Sequence, residues 1–235
     1  MNTTSGLTLI TTATTAGSLE PVIDAVELLY LDIDREAAAF SAATAVVCPD
    51  GCGRCCRSET VEASVLEMLP MARALFRTGL IDAWEAVISS AVSPGQCLVF
   101  ATDGLVAVNG RCRLYGWRPL VCRLFGFAAR KSKTGQPVFR ACREFSGRSP
   151  ASASAAATAV AHGLPVPVFA AYHMQVASLH ATVEIPLMPI NTALQQAVNR
   201  YGLCFQMALG AAPAETPQDD PHRGPEGRIP PRLAA

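Results

Sequence analysis

The chain has 235 residues, half of them apolar and 16% charged, with a formal net charge of zero. A chain of this length can bury a sizeable core, and its balanced charge gives no overall sign of a polyanion-binding protein. No run of about 18 apolar residues occurs, so no membrane-spanning helix is expected.

In chain order, residues 1–17 lack helical periodicity and read as a disordered leader. Met1–Ser18 has no Lys or Arg ahead of its short apolar stretch, which makes a poor secretory signal; a cytoplasmic location is expected. Leu19 to Val47 is rich in Ala, Leu, Glu and Asp, without Gly, and predicts one long helix or two short ones. Cys48 to Arg57 is a Gly/Cys loop. Ser58 is positioned to cap the helix that follows, where Val61, Val65, Met68, Ala72 and Leu75 recur at helical spacing. Pro70 predicts a kink or a break in that helix, and Ile81 to Ala91 reads as another short one.

Residues 94–116 change character. Pro94-Gly95, Asp103-Gly104 and Asn109-Gly110 separate short apolar runs, including Leu105 to Val108, and predict a small irregular hairpin. Pro119 opens a short helix through Cys122 to Phe127. Residues 151–161 are Ala/Ser-rich and read as a soft helix or a linker. Phe169 to Val183 and Asn191 to Leu209 read as helices, the second with Leu194, Ala197, Val198, Tyr201, Phe205 and Ala208 on one face. The tail from Ala211 carries six prolines and scattered charge, and is expected to be disordered. The division expected is a leader (1–17), a cysteine-cluster metal-binding domain (18–150), a helical extension packed on it (151–210) and a disordered tail (211–235). The fold class is mainly α: a small helical domain organised around a cysteine metal cluster, with a short hairpin.

The nine cysteines carry the chemical information. Cys48, Cys52, Cys55, Cys56, Cys97, Cys112, Cys122 and Cys142 fall within one stretch, four of them within nine residues. Glycines in the first loop allow several sulfurs to be aimed at one point, and clustered thiolates suit zinc, iron or an iron–sulfur cluster. Adjacent Cys55 and Cys56 point in different directions, so they serve two centres or one of them lies behind the other. Disulfides and unliganded buried thiols are the alternatives, and an odd count of cysteines argues against complete pairing. Cys204, near the apolar face of a helix, reads as a small buried hydrophobe. The Cys48-x3-Cys52-x2-Cys55 spacing also occurs in radical-SAM enzymes, but the helical patterns that follow are not theirs.

The segments Cys48-x3-Cys52-Gly-x-Cys55-Cys56, Gly95-x-Cys97 and Cys112-Arg-Leu-Tyr115-Gly-Trp-Arg118-Pro119-x2-Cys122-Arg123-x-Phe125 resemble the YkgJ-type cysteine-cluster family. The resemblance covers residues 45 to 145 and implies zinc or iron chelation at the cysteines. A related cluster in flagellin lysine-N-methylases implies, as one alternative, a cluster-dependent enzyme acting on a protein.

Buried thiolates around an ion or a four-iron cluster leave negative charge to be offset. Arg118 and Arg123 flank Cys122 and are the expected cofactor-binding residues. They belong to a basic segment, 111–148, with ten Lys/Arg and one acid, Glu144. That segment offers a surface for a protein partner, as in a metal carrier, whereas nucleic acid fits poorly because the rest of the chain carries the balancing negative charge. Glu67 is a further candidate to approach the cluster. His162, His173 and His180 are weaker ones, the last two seven apart and so on one face of a continuous helix. The expected cofactor is an iron–sulfur cluster, of the four-iron type, or zinc or iron ions, since eight sulfurs exceed the needs of one structural zinc.

Overall fold

A computed structural model describes residues 19–49, 51–89, 95–102, 104, 109–180 and 186–210. The expected leader, the tail and Leu105 to Val108 lie outside these residues. The fold is mainly α, with eight α-helices and three two-stranded antiparallel pairs among the described residues.

Helix α1 (Glu20–Thr44) is a single helix, with Pro21 in its first turn, where a missing N–H costs nothing. Val22, Ile23, Val26, Leu29, Tyr30, Ile33, Ala37 and Phe40 recur at three and four residues and are buried along one stripe. The helix stops where Ala45 takes the left-handed conformation, its N–H bonded to the Ser41 carbonyl.

The Gly/Cys loop contains a single 3-10 turn, Cys55–Arg57. Strand β1 (Glu62–Ala63) and helix α2 (Val65–Arg77) follow, and here the expected cap is corrected. Ser64, not Ser58, caps α2. It lies three residues before Glu67, and the two side chains bond each other's backbone N–H reciprocally, which Ser58, followed at that distance by Val61, cannot do. The expected break at Pro70 is also absent. Every residue from Val65 to Leu75 is buried, and that packing outweighs the hydrogen bond lost at the proline. Arg73 is drawn into this core by Glu20, Asp24 and Glu27 of α1.

Helix α3 spans Ile81–Ser89, and the predicted hairpin is present as β2 (Phe100–Thr102) and β3 (Gly110–Cys112), with Phe100 opposite Cys112. Gly110 is required: a Cβ there would stand 2.1 Å from the Ala101 carbonyl oxygen and against the Phe100 ring. Gly110→Ala is therefore expected to cost about 1–3 kcal/mol, measured by chemical denaturation; an unchanged midpoint would contradict this placement of the hairpin.

Helix α4 (Leu120–Leu124) is shorter than expected. A second hairpin, β4 (Ala129–Lys131) with β5 (Pro137–Phe139), was not expected, because its strands are three residues long and partly charged. Then come α5 (Arg143–Arg148), α6 (Pro150–Ala161), α7 (Phe169–Ser178), β6 (Met188–Pro189) and α8 (Ile190–Gly210). Residues 151–161 are thus helical rather than a linker. The helix expected over 169–183 ends at Ser178, and residues 181–183 lie outside the described ones.

Two cores result. The main one joins α1, α2, α4, α7 and α8, with α8 packed chiefly along α2 and β6 paired to β1. On α8 the predicted face is buried at Leu194, Ala197, Val198 and Tyr201, then emerges from the core at Phe205 and Ala208. The smaller core gathers Phe40, Val46, Ala129, Phe139, Phe145, Ala156 and Val160. The cysteine loop lies at the seam between the two.

Candidate metal centre

Each cysteine segment is brought to the seam by a separate device. The backbone of the first loop bonds outward at two points: the Gly110 N–H donates to the Gly51 carbonyl (2.8 Å) and the Cys97 N–H to the Cys56 carbonyl (2.7 Å). The Cys97 segment is also held by buried Asn191 at the start of α8, which accepts from the Leu98 N–H (3.0 Å) and donates to the Gln96 carbonyl (3.1 Å). Strand β3 delivers Cys112 beside Phe100. Cys122 lies in the first turn of α4. Cys142 caps α5, its sulfur accepting from the Phe145 N–H at 3.4 Å.

Cys55, Cys56, Cys97 and Cys122 line one small cavity of about 20 Å³, closed by Val61, Val121, Phe125 and Ile190. Four cysteines from three distant segments thus border a space large enough for one water-sized body. All nine cysteines are free thiols, so the disulfide alternative is not realised in this structure. Among the described residues, no three cysteine, histidine or acidic side chains are close enough to hold an ion as placed. Coordination therefore requires the cysteines to draw together, as expected where metal binding and local folding are coupled.

Residues 47–146 match the CxxCxxCC family, described as "Putative zinc- or iron-chelating domain". This stretch is similar to that family over 100 residues, 47 to 146. No curated protein and no solved structure matches the chain.

The electrostatics of this stretch are those of a thiol cluster awaiting positive charge. Burial pushes Cys122 well above the ordinary thiol value, and neighbouring Cys97, Cys55 and Cys112 push it further. The helix start does not offset this. Helix α4 has only five residues, and the Cys122 N–H is already bonded to the Pro119 carbonyl, so desolvation wins. Burial raises Cys97 to about 11, and Cys48 to about 11 with help from Cys52, Cys55 and Cys142. Cys55 is pushed up first by its hydrogen bond with Cys56, then by burial. Cys112 is raised by burial. A bound cation would reverse this balance, since metal binding requires the thiolates and releases their protons.

Arg118 is the cation within reach. It lowers Cys48, Cys112 and Cys122 alike, lies over the Tyr115 ring at 3.8 Å, and touches Asp34 of α1 at 3.5 Å. Its buried Nε has no hydrogen-bond partner among the described residues. An orphaned guanidinium donor beside a group of thiols fits an anionic metal–thiolate centre. Arg123 differs. It is buried and fully engaged, donating to Asp34 and to the Gly116 and Arg118 carbonyls while lying over Tyr30 at 4.4 Å. Its position is that of a brace for Arg118 and α4.

Glu67 stands close to the site in the role of a brace too. Its carboxylate accepts from the Ser64 N–H and hydroxyl and lies near enough to the Leu120 and Val121 N–H groups that open α4 to feel them. Its backbone carbonyl accepts from the Tyr30 hydroxyl at 2.7 Å. Cys204 packs against the main core. His162 bonds the Thr158 carbonyl, and His173 is on α7. His180 lies beyond the end of α7, so the expected shared helical face of His173 and His180 does not form.

Tyr30, Asp34 and Asn191 were not legible as site residues. Tyr30 and Asp34 sit one helical turn apart on α1, a pattern indistinguishable from any amphipathic helix, and Asn191 is more than ninety residues from the carbonyl it bonds.

Proposed function

We propose that the chain is a metal-chelating protein that holds its metal through thiolates gathered at the seam of the two cores. The observation that carries this reading is the convergence of Cys55, Cys56, Cys97 and Cys122 on one cavity, with the unpartnered Arg118 donor nearby. Cysteine sulfur favours zinc, iron and iron–sulfur clusters over hard cations.

Two occupants follow from different features. Eight sulfurs in one domain favour an iron–sulfur cluster. A single zinc or iron ion needs no more than the four cysteines that line the cavity. Anaerobic purification with metal analysis and an absorption spectrum separates them. Iron with acid-labile sulfide and a broad visible charge-transfer band marks the cluster; a colourless chain with zinc marks the ion. A metal-free, fully folded preparation would overturn chelation altogether.

A second reading, a centre that serves a bound substrate, is favoured by a groove of about 470 Å³ between α1 and the 115–117 turn. Tyr30, Leu31, Asp34, Trp117 and Arg123 line it, and its size is that of a small-molecule site. Tyr30 lies near enough to Cys122 for its hydroxyl to feel a charge there. Leu31→Arg would then leave metal content unchanged and abolish substrate binding. On the chelation reading alone it changes neither.

A further inference from the structure

A short segment outside the cysteine-rich stretch, Met188 to Asn191, ties two of the cysteine segments together. Pro189 and Met188 of β6 pair with Glu62 and Ala63 of β1, and the Ile190 N–H donates to the Val61 carbonyl at 3.0 Å. These bonds hold the chain that leaves Cys55 and Cys56. The next residue, buried Asn191, holds the chain on both sides of Cys97. Its Oδ1 accepts from the Leu98 N–H at 3.0 Å, and its Nδ2 donates to the Gln96 carbonyl at 3.1 Å. The Cys97 N–H in turn donates to the Cys56 carbonyl at 2.7 Å. Ile190 itself lines the cavity bordered by Cys55, Cys56, Cys97 and Cys122. One side-chain amide thus meets a backbone donor and a backbone acceptor that flank a single cysteine. A carboxylate in its place would lack the donor.

We propose that Asn191 is a positioning residue of the metal centre: it fixes the Cys97 backbone against that of Cys56 before metal arrives, and the affinity for metal depends on it although it is no ligand itself. This rests on the chelation reading above and assigns part of that affinity to a helix far along the chain. The cysteines must draw together to coordinate, and ordering the chain around each ligand costs conformational entropy at the moment of binding. A clamp that already holds Gln96 to Leu98 removes Cys97's share of that cost, so it is expressed as affinity. The coupling runs both ways. Metal held by Cys97 favours the docked Met188 to Asn191 segment, and with it the start of α8.

The test is the affinity of the metal-free, full-length chain for Co²⁺, read anaerobically from the thiolate-to-cobalt absorption against a competing chelator. Asn191→Ala is expected to lower that affinity by about 10- to 100-fold, as for other partners that orient metal ligands. Val198→Ala, further along α8 in the same core and outside the clamp, is expected to bind cobalt as the wild-type chain does while unfolding at lower denaturant. A third comparison places Asn191→Ala in a Cys97→Ser chain. There it is expected to have no further effect on affinity, because the clamp has no ligand left to place. Unchanged affinity in Asn191→Ala, an equal loss in Val198→Ala, or the full further loss in the Cys97→Ser chain would each overturn the role. Should Asn191→Ala fail to fold, Asn191→Leu, which fills the same space without either bond, takes its place with the same expectations. Should Cys97→Ser bind no cobalt, the comparison with Val198→Ala decides. No cobalt uptake by the wild-type chain would instead overturn the chelation reading and this role with it, so the two failures are distinguishable.

Discussion

Stripping the metal, or replacing Cys122 by serine, is expected to lower the melting temperature by tens of degrees while leaving most of the helical signal intact below the transition. The loop from Cys48 to Thr60 has a single 3-10 turn and few backbone hydrogen bonds to the rest of the chain. It buries no large apolar side chain of its own, so little besides the ion can hold it. A structural thiolate site contributes on the order of 10 kcal/mol, and in a domain of this size each kcal/mol moves the melting temperature by about 2–4 °C. The helical signal persists because α1, α2 and α8 bury one another through Ile23, Ile33, Leu66, Leu69, Leu75 and Leu194, none of which touches the cavity. Thermal melts with and without chelator, read by circular dichroism, check this. Coincident melts would mean that the thiols are only small buried hydrophobes.

Glu67→Ala is expected to cost about 3–5 kcal/mol, a large effect for one residue outside the metal ligands. The carboxylate serves the starts of two helices: it completes the cap of α2, accepting from the buried Ser64 N–H and hydroxyl, and lies near the first N–H groups of α4. Each donor left buried without a partner costs about 1–3 kcal/mol. Because α4 carries Cys122, the same change should also weaken metal binding. Glu67→Gln is expected to lose less, since it keeps a carbonyl acceptor.

The two variants also separate a pH effect. Burial raises the Glu67 carboxyl above its ordinary value in the folded chain. A carboxyl raised on folding binds its proton more tightly in the folded state, so its contribution is full below the unfolded value. It is lost as the pH rises through the folded one. Glu67→Gln should remove that decline. Denaturation midpoints measured across the acidic range check the sign, and an identical slope in the variant would refute it.

Much of the domain was legible in the sequence because the signals were local. The Gly-free Ala/Leu/Glu/Asp composition of α1, the apolar face of α8 and the turn dipeptides of the Gly110 hairpin are local features, which set helix propensity, periodicity and turn chemistry directly. The match to a zinc- or iron-chelating family was legible in the cysteine density for the same reason: no other residue type at that density suits thiophilic metal so well. Ser64 was missed although its partner Glu67 was in plain view, because an earlier serine offered a simpler start. Pro70 was misjudged because propensity says nothing of the burial that surrounds it.

The sequence by itself determined which side chains could chelate and which stretches would be helical. Tertiary structure alone decided that Cys97 is held by Asn191, that Arg118 rather than Arg123 is left with an unpartnered donor, and that Cys142 sits on a different core from Cys122. These relations join residues that chain order keeps far apart. They are set by how two hydrophobic cores meet, and the loop between them takes its shape from both.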